Sequence, residues 1–397
     1  MTSARTDRDL AALLESYDPF DRDHVEWKYD AFAYARRHCP VVRTETELTG
    51  PMWMITRYED VRRVLEDPET FSSVGGSPAP APVRLGPLDS DPPEHTGFRA
   101  LLSPYLTRKF ALTYADEMRK TANELIDGFI ENGKVELLSE FASPFVSRIL
   151  ARMVFNENDM TKMERAKEIV YRVTEDGTEE SFMNLGMLSA EYLFAAIENP
   201  PEEDGILRAL ATGTINGERL TNEQALGAIS VLFLGGLDTT RSAIGAIAMY
   251  MALNPELEQR VRDPRWVRND MDEFIRLTSP VGTFGRTVMK DTEIAGCPVK
   301  KGERLLIRFD SANRDDVKFP NADQLQFDPP RGGNAGFGLG IHRCIGMHLA
   351  RVEIAIAFEE LLARVTNFRL DADPADLKWV PGIANYPDRV PLIFDKV

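Results

Sequence analysis

Apolar residues recur mostly at three- and four-residue steps between Glu94 and Leu253, a pattern that predicts a helical body. Its breaks fall near Asn132-Gly133, Asn199-Pro200-Pro201 and Asn216-Gly217, where turn-forming residues cluster. Elsewhere the runs are shorter. Met52 to Thr56 reads as a strand and Tyr58 to Leu65 as a helix. Phe284 to Phe309 alternates polar and apolar positions around Ala295-Gly296 and Lys301-Gly302, which predicts a small sheet of short strands. From Ser72 to Pro87 the chain reads SSVGGSPAPAPVRLGP and has no period, so it is expected to be a loop, either functional or a linker.

Four places in this pattern hold residue types that do chemistry. The stretch Gly336 to Ala350, GFGLGIHRCIGMHLA, delivers Cys344 from a glycine-punctuated loop to the start of an amphipathic helix expected near Ile345. Backbone N–H groups at a helix N-terminus stabilise a thiolate. Gly338, Gly340 and Gly346 would let the backbone approach a flat ligand.

The apolar run Leu226 to Leu253 is interrupted by GGLDTT. Val231, Leu234, Gly235, Asp238 and Ser242 share roughly one helical face, with Thr239 at its margin. Paired glycines weaken the helix, and a groove beside a carboxylate and a hydroxyl suits proton relay. A kinked helix with a solvated Asp238 is the structural alternative.

The segment Asp91-Pro-Pro-Glu-His-Thr-Gly-Phe-Arg99 reads as a helix start with Asp91 as N-cap, placing His95 and Arg99 one turn apart as donors for a carboxylate. Glu273 and Arg276 stand at i and i+3 of a short helix ending before Pro280, and Arg331 is a candidate third member of their network.

Composition narrows the class without choosing a function. With 397 residues, 43% of them hydrophobic and 28% charged, the chain can bury a large core and a cofactor, as one large domain or two smaller ones. A net charge of −16 opposes broad attraction to nucleic acid or anionic lipid. Neither a signal-peptide core nor an apolar run long enough to span a membrane is visible, so a cytoplasmic protein is expected, and nothing demands more than a monomer. Cys39, Cys297 and Cys344 lie far apart, which disfavours a disulfide framework, and Cys39 and Cys297 read as buried packing.

Three other readings of the Cys344 loop compete. Its glycines lack G-x-G-x-x-G spacing and a preceding strand for a dinucleotide. His342, Cys344 and His348 lack a fourth ligand for structural zinc. An inert buried cysteine remains open on this segment alone.

Together the segments resemble the cytochrome P-450 family, from about Asp18 to the C-terminus and with the motifs in the family's order. Phe337, Gly340, Cys344 and Gly346 meet its Phe-x-x-Gly-x-x-x-Cys-x-Gly loop, and Glu273 and Arg276 its Glu-x-x-Arg motif. Gly235, Gly236, Asp238 and Thr239 meet its oxygen-activating motif, and the Gly-Gly start is similar to the camphor-hydroxylase branch.

The resemblance implies a mainly α fold with a minor β region, one triangular prism spanning 1–397 with haem b between two helices, Cys344 being the axial thiolate. It implies Asp238 and Thr239 as the proton-relay pair, and His95, Arg99, Arg286 and His342 as holders of the haem propionates. Gly235, Phe337 and Gly346 would contact the haem, and Glu273, Arg276 and Arg331 would form a structural triad.

The implied activity is monooxygenation, with O2 as co-substrate and electrons from a separate [2Fe-2S] ferredoxin and its reductase. Arg62, Arg63, Arg99, Arg108, Lys109 and Arg343 would supply the docking face. Val83, Leu85, Val231, Leu234, Val281, Thr283 and Phe284 are expected to line an apolar pocket for a terpenoid or small aromatic substrate. A camphor-binding tyrosine of the family falls near Val83 and a propionate-binding aspartate near Phe284, so camphor itself is not expected. Arg84 could pair a substrate carboxylate. The alternative class is a haem-thiolate protein that uses peroxide, isomerises or senses ligands.

Overall fold

The computed structural model describes residues 6–79, 81–82 and 84–397, with Asn269 described by its backbone alone. Helices make up most of it, and the expected helical body between Glu94 and Leu253 is present. Long helices at Ala115–Phe129, Met160–Asp176 and Glu179–Glu198 turn their apolar faces into one extensive core. The helix Met347–Arg364 packs against Ala115–Phe129, and Glu179–Glu198 against Asn222–Leu237. Burial of those stripes, rather than propensity alone, holds the helices.

Two of the expected breaks in this body prove to be short strands. Lys134–Glu136 follows Gly133, which adopts φ +65°, and pairs with the C-terminal strand Pro391–Lys396. Asn216 and Gly217, both at positive φ, turn the hairpin Thr214–Ile215 and Glu218–Arg219. Asn-Gly favours that turn because both of its central residues need positive φ.

The sheet region gathers chain from both ends. Its strand order is Val41–Thr46, Gly50–Ile55, Arg304–Arg308, Thr283–Val288 and Phe71–Ser72. The first two form an antiparallel hairpin, Arg304–Arg308 lies parallel to Gly50–Ile55, and Phe284 stands opposite Ile307. This pairing carries the Ser72–Pro87 loop to the sheet, where the Gly285 N–H donates to the Gly76 carbonyl at 2.7 Å and Leu85 is buried. The described part of the loop is thus packed against the sheet and the core.

One helix start differs from its sequence expectation. The helix begins at Glu94 with no side-chain cap, because the Asp91 carboxylate is engaged elsewhere. It accepts from the Ser72 hydroxyl at 2.5 Å and from the Ser73 N–H at 2.9 Å, stitching this turn to the preceding loop.

Candidate active site

One interrupted helix and one glycine loop face each other across a cavity. On one side the helix Asn222–Leu237 stops and a second, Thr239–Leu253, begins, with Asp238 at the junction. Gly236 packs closely on Leu150, and a Cβ there would come within 2.5 Å of its terminal methyl and force that side chain to shift. Gly235 meets nothing within 4 Å and opens onto the cavity. The Thr239 hydroxyl donates to the Gly235 carbonyl at 2.7 Å, consuming an acceptor that would otherwise serve the helix ladder.

On the facing side, the loop before Met347–Arg364 is folded on itself. The Cys344 N–H donates to the Phe337 carbonyl at 2.8 Å, and the Gly338 N–H to the Ala335 carbonyl at 2.9 Å. Gly340 sits at φ +67° so close to Leu65 that a Cβ would collide with its carbonyl at 2.1 Å. The helix itself starts at Met347, two residues beyond its expected start.

Cys344 opens onto the cavity, although protein surrounds it in every other direction. Burial pushes its thiol up, opposed by the N–H groups of Gly346 and Met347 and by the cations Arg99 and Arg351. Arg351 also stacks over the Phe337 ring at 4.8 Å and pairs with Asp272 at 2.7 Å, which fixes the loop's aromatic residue.

Four cationic or cation-forming side chains, His95, Arg99, Arg286 and His342, line the same cavity. The two imidazoles lie with their ring centres 4.1 Å apart and their planes inclined by 44°. Burial, with Arg99 and Arg286 adding repulsion, holds His95 down to about 4, and burial with Arg286, His95 and Arg99 holds His342 down to about 3. Arg286 is brought down to about 10 by burial. The His342 Nε2 is buried without a hydrogen-bond partner.

Such a cluster fits a ligand bearing two carboxylates, because the two arginines need anions to offset their desolvation and the imidazoles, the unpartnered His342 Nε2 among them, offer further hydrogen-bonding groups. A thiol, an open glycine floor and a dicarboxylate cradle in one cavity match the demands of haem. Phe337 and Gly346 lie in the same lining.

Leu85, Val231, Leu234, Val281 and Phe284 also line the cavity, whereas Thr283 does not. Side chains alternate across a strand, so Phe284 and Arg286 face the cavity while Thr283 turns the other way and donates to the Ile307 carbonyl at 2.9 Å. Val83 lies outside the described residues. Arg84 is not available to a substrate carboxylate, because it pairs with Glu94 and its Nε donates to the Asp89 carbonyl at 3.2 Å.

The lining also includes residues that the sequence reading left out, among them Leu88, Leu150, Val154, Val173, Phe182 and Ile383. Helical spacing could not separate these from ordinary core. Glu353 is the exception, a buried acid within the apolar run Val352 to Phe358. Burial pushes it up to about 8, opposed by a hydrogen bond with Thr240.

Away from the cavity, Arg276 pairs with Glu273 at 2.8 Å and donates to the carbonyls of Asn313, Ala322 and Gln324. Arg331 stands 3.8 Å from Glu273 and donates to the Pro320 carbonyl at 2.5 Å. The bonds to Asn313, Pro320, Ala322 and Gln324 tie this network to the chain that leads toward the Cys344 loop. No group of three or more metal-ligating His, Cys, Asp or Glu side chains occurs among the described residues, so His342, Cys344 and His348 do not assemble a zinc site.

Known proteins share this arrangement. The family model "Cytochrome P450" matches residues 267–381, the stretch holding Glu273, Arg276 and Cys344. Cytochrome P450 107B1 of Saccharopolyspora erythraea is 30% identical over 378 residues, covering 88% of this chain and 92% of that protein. Mycinamicin IV hydroxylase/epoxidase of Micromonospora griseorubida is 29% identical, covering 87% and 89%. The crystal structure of CYP108D1 from Novosphingobium aromaticivorans superposes with a TM-score of 0.84 at 23% identity, over 98% of both chains, and so shares the fold. The chain therefore belongs to the cytochrome P450 family, the monooxygenases whose haem b is bound through a cysteine thiolate.

Proposed function

We propose that this enzyme hydroxylates a compact hydrophobic molecule, of terpenoid or small aromatic skeleton, using electrons from a [2Fe-2S] ferredoxin and its reductase. The observation that carries the substrate class is that, among the described residues, no charged side chain of the cavity lining is left free for it. His95, Arg99, Arg286 and His342 form the cradle suited to propionates, Asp238 is paired with Arg241 at 2.5 Å, and burial pushes Glu353 up to about 8, which favours its neutral form. The rest of the lining is dominated by residues such as Leu85, Val231, Leu234, Phe182 and Phe284. Apolar contact worth about 25 cal/mol per Å² is then the main source of substrate affinity.

In this reading Cys344 would bind the haem iron through its thiolate, and Arg99 and Arg286, with the imidazoles of His95 and His342 beside them, would hold the propionates. Bound haem supplies the oxidising chemistry by which one atom of O2 enters a C–H bond. The protein's own part is to deliver protons and exclude bulk water. Thr239 donates its hydroxyl proton to Gly235, which leaves its oxygen free to accept from water beside the cavity. Asp238, with one carboxylate oxygen lacking any partner, is the acid beside it. That acid–alcohol pair favours monooxygenation over the peroxide-using, isomerising or ligand-sensing alternative.

For electron delivery, Arg108, Lys109 and Arg343 are exposed and have no ion-pair partner among the described residues. Arg62 contributes less than expected, being neutralised by Glu59 and Glu66. The reading is tested on haem-loaded protein. Reduction under carbon monoxide should give a strongly red-shifted Soret band that Cys344→Ser abolishes. A monocyclic terpenoid or an alkylbenzene should then shift the ferric spin state at micromolar concentration. A panel in which only a macrolide or a long-chain fatty acid produces that shift would overturn the substrate class.

A further inference from the structure

Behind Asp238 the cavity wall is closed by a stack of side chains that no family motif accounts for. Arg241 is buried, and its guanidinium carbon lies 3.9 Å from the ring centre of Tyr171 and 4.1 Å from that of Tyr386. Its Nη2 donates to Asp238 Oδ1 at 2.5 Å, while Asp238 Oδ2 and Arg241 Nε have no partner. A planar cation between two aromatic faces is held in orientation as well as in charge.

The two rings come from parts of the chain that lie far apart in sequence. Tyr171 belongs to the helix Met160–Asp176, whose Val173 and Thr174 line the cavity. Tyr386 belongs to the C-terminal segment, whose Ile383 and Ala384 line it too. These two walls are themselves latched: the Ile383 N–H donates to the Thr174 carbonyl at 2.9 Å, and the Tyr386 hydroxyl to Glu175 at 2.7 Å. A Cβ on Gly382 would stand 1.8 Å from the Thr174 carbonyl, so only glycine permits this contact.

We propose that Arg241, gripped between Tyr171 and Tyr386, is the positioning residue for Asp238 and makes the placement of that acid depend on closure of the two cavity walls. The proposal rests on the reading of Asp238 as the acid beside the reacting centre. When the helix Met160–Asp176 lies against the C-terminal segment, both rings bear on the guanidinium and one carboxylate oxygen is fixed. When it lifts, Tyr171 leaves, and Arg241 can swing with Asp238. Substrate capture and proton delivery are thereby linked through one side chain.

The test uses holoenzyme, with 4-phenylimidazole as the cavity ligand and amide hydrogen exchange as the readout. In wild type the ligand should slow exchange in 160–176 and in 236–243 together. Tyr171→Leu should keep the protection of 160–176 and lose at least threefold of that in 236–243, while Tyr171→Phe, which keeps the ring, should match wild type. Arg241→Lys keeps the charge without the planar fork. Driven by a surrogate ferredoxin and reductase, it should show an enlarged solvent isotope effect on oxygen consumption. Unchanged protection at 236–243 in Tyr171→Leu, or an unaltered isotope effect in Arg241→Lys, would overturn the proposal. A carbon monoxide band that is normal in every variant separates that failure from failure of the haem-thiolate reading.

Discussion

At the residue scale, the site is a contest between hydrogen bonds that the backbone wants and those that a reaction needs. Thr239 sits within a helix, yet its hydroxyl bonds the carbonyl of Gly235 four residues back, at the point where the ladder is already broken by Asp238. Removing that hydroxyl should cost little stability, since the carbonyl borders the cavity and water can replace it. Its effect should fall on proton delivery. Thr239→Ala, turned over with a substrate that shifts the spin state, should consume oxygen at a near-normal rate but release most of it as hydrogen peroxide. Measuring product per oxygen consumed settles the point, and unchanged coupling would remove Thr239 from the relay. This pair was legible in the sequence because polar residues in an apolar run demand a reason. Arg241 was not, since an arginine three residues after an aspartate is a common surface pairing. Only the fold reveals that both are buried.

At the scale of elements, the helix Met347–Arg364 was more legible at its start than in its interior. Its start was announced by glycines and a cysteine, while Glu353 looked like one acid among several in RVEIAIAFEELLAR. Packing separates them: Glu353 is buried, and Glu359 is exposed and pairs with Arg119. The folded value near 8 lies above the ordinary 4.5, so the fold binds this proton more tightly than the unfolded chain does. Its contribution is fully present below pH 4.5 and is lost as pH rises through 8. Each tenfold difference in proton affinity is worth about 1.4 kcal/mol, so the total reaches several kcal/mol. Urea unfolding of wild type and Glu353→Gln from pH 4.5 to 8 should show the variant gaining on wild type steadily across that window. Parallel profiles would mean that Glu353 is ionised or solvated in the fold.

The same scale explains where pattern reading stopped short of the structure. Asp91, Pro92 and Glu94 have the right spacing for a capped helix, but a carboxylate can serve only one set of donors. The Ser72 and Ser73 groups, distant in sequence, claim it. Thr283 illustrates the second limit, because membership in an alternating segment does not say which face looks at the cavity. The register with Arg304–Arg308 settles that, putting Phe284 opposite Ile307. Both failures arise from tertiary pairing, which no local window contains.

At the scale of the whole molecule, the proposed ferredoxin partnership requires a chain of net charge −16 to attract an acidic electron donor. Charge is not spread evenly. Arg108, Arg343 and Arg351 all act on the imidazole of His348 and help hold it down, after burial, so these cations converge on the surface over the Cys344 loop. Arg99, whose Nη1 donates to the Arg343 carbonyl at 2.8 Å, ties that surface to the cavity behind it. A local positive face on an acidic protein steers an acidic partner at short range, while the net charge repels it at long range. Salt should therefore act in two directions. Below about 50 mM, where the Debye length exceeds roughly 13 Å, added salt screens the net repulsion. Above that it weakens the local attraction, so the rate of reduction by a ferredoxin should pass through a maximum with ionic strength. Arg108→Glu combined with Arg343→Glu should abolish the descending limb and raise the KM for ferredoxin about tenfold, the equivalent of about 1.4 kcal/mol. The ferric spectrum and the kcat at saturating ferredoxin should be retained. Stopped-flow reduction under carbon monoxide across a salt series measures this directly, and a double variant with wild-type KM would move the docking face away from the Cys344 side of the molecule.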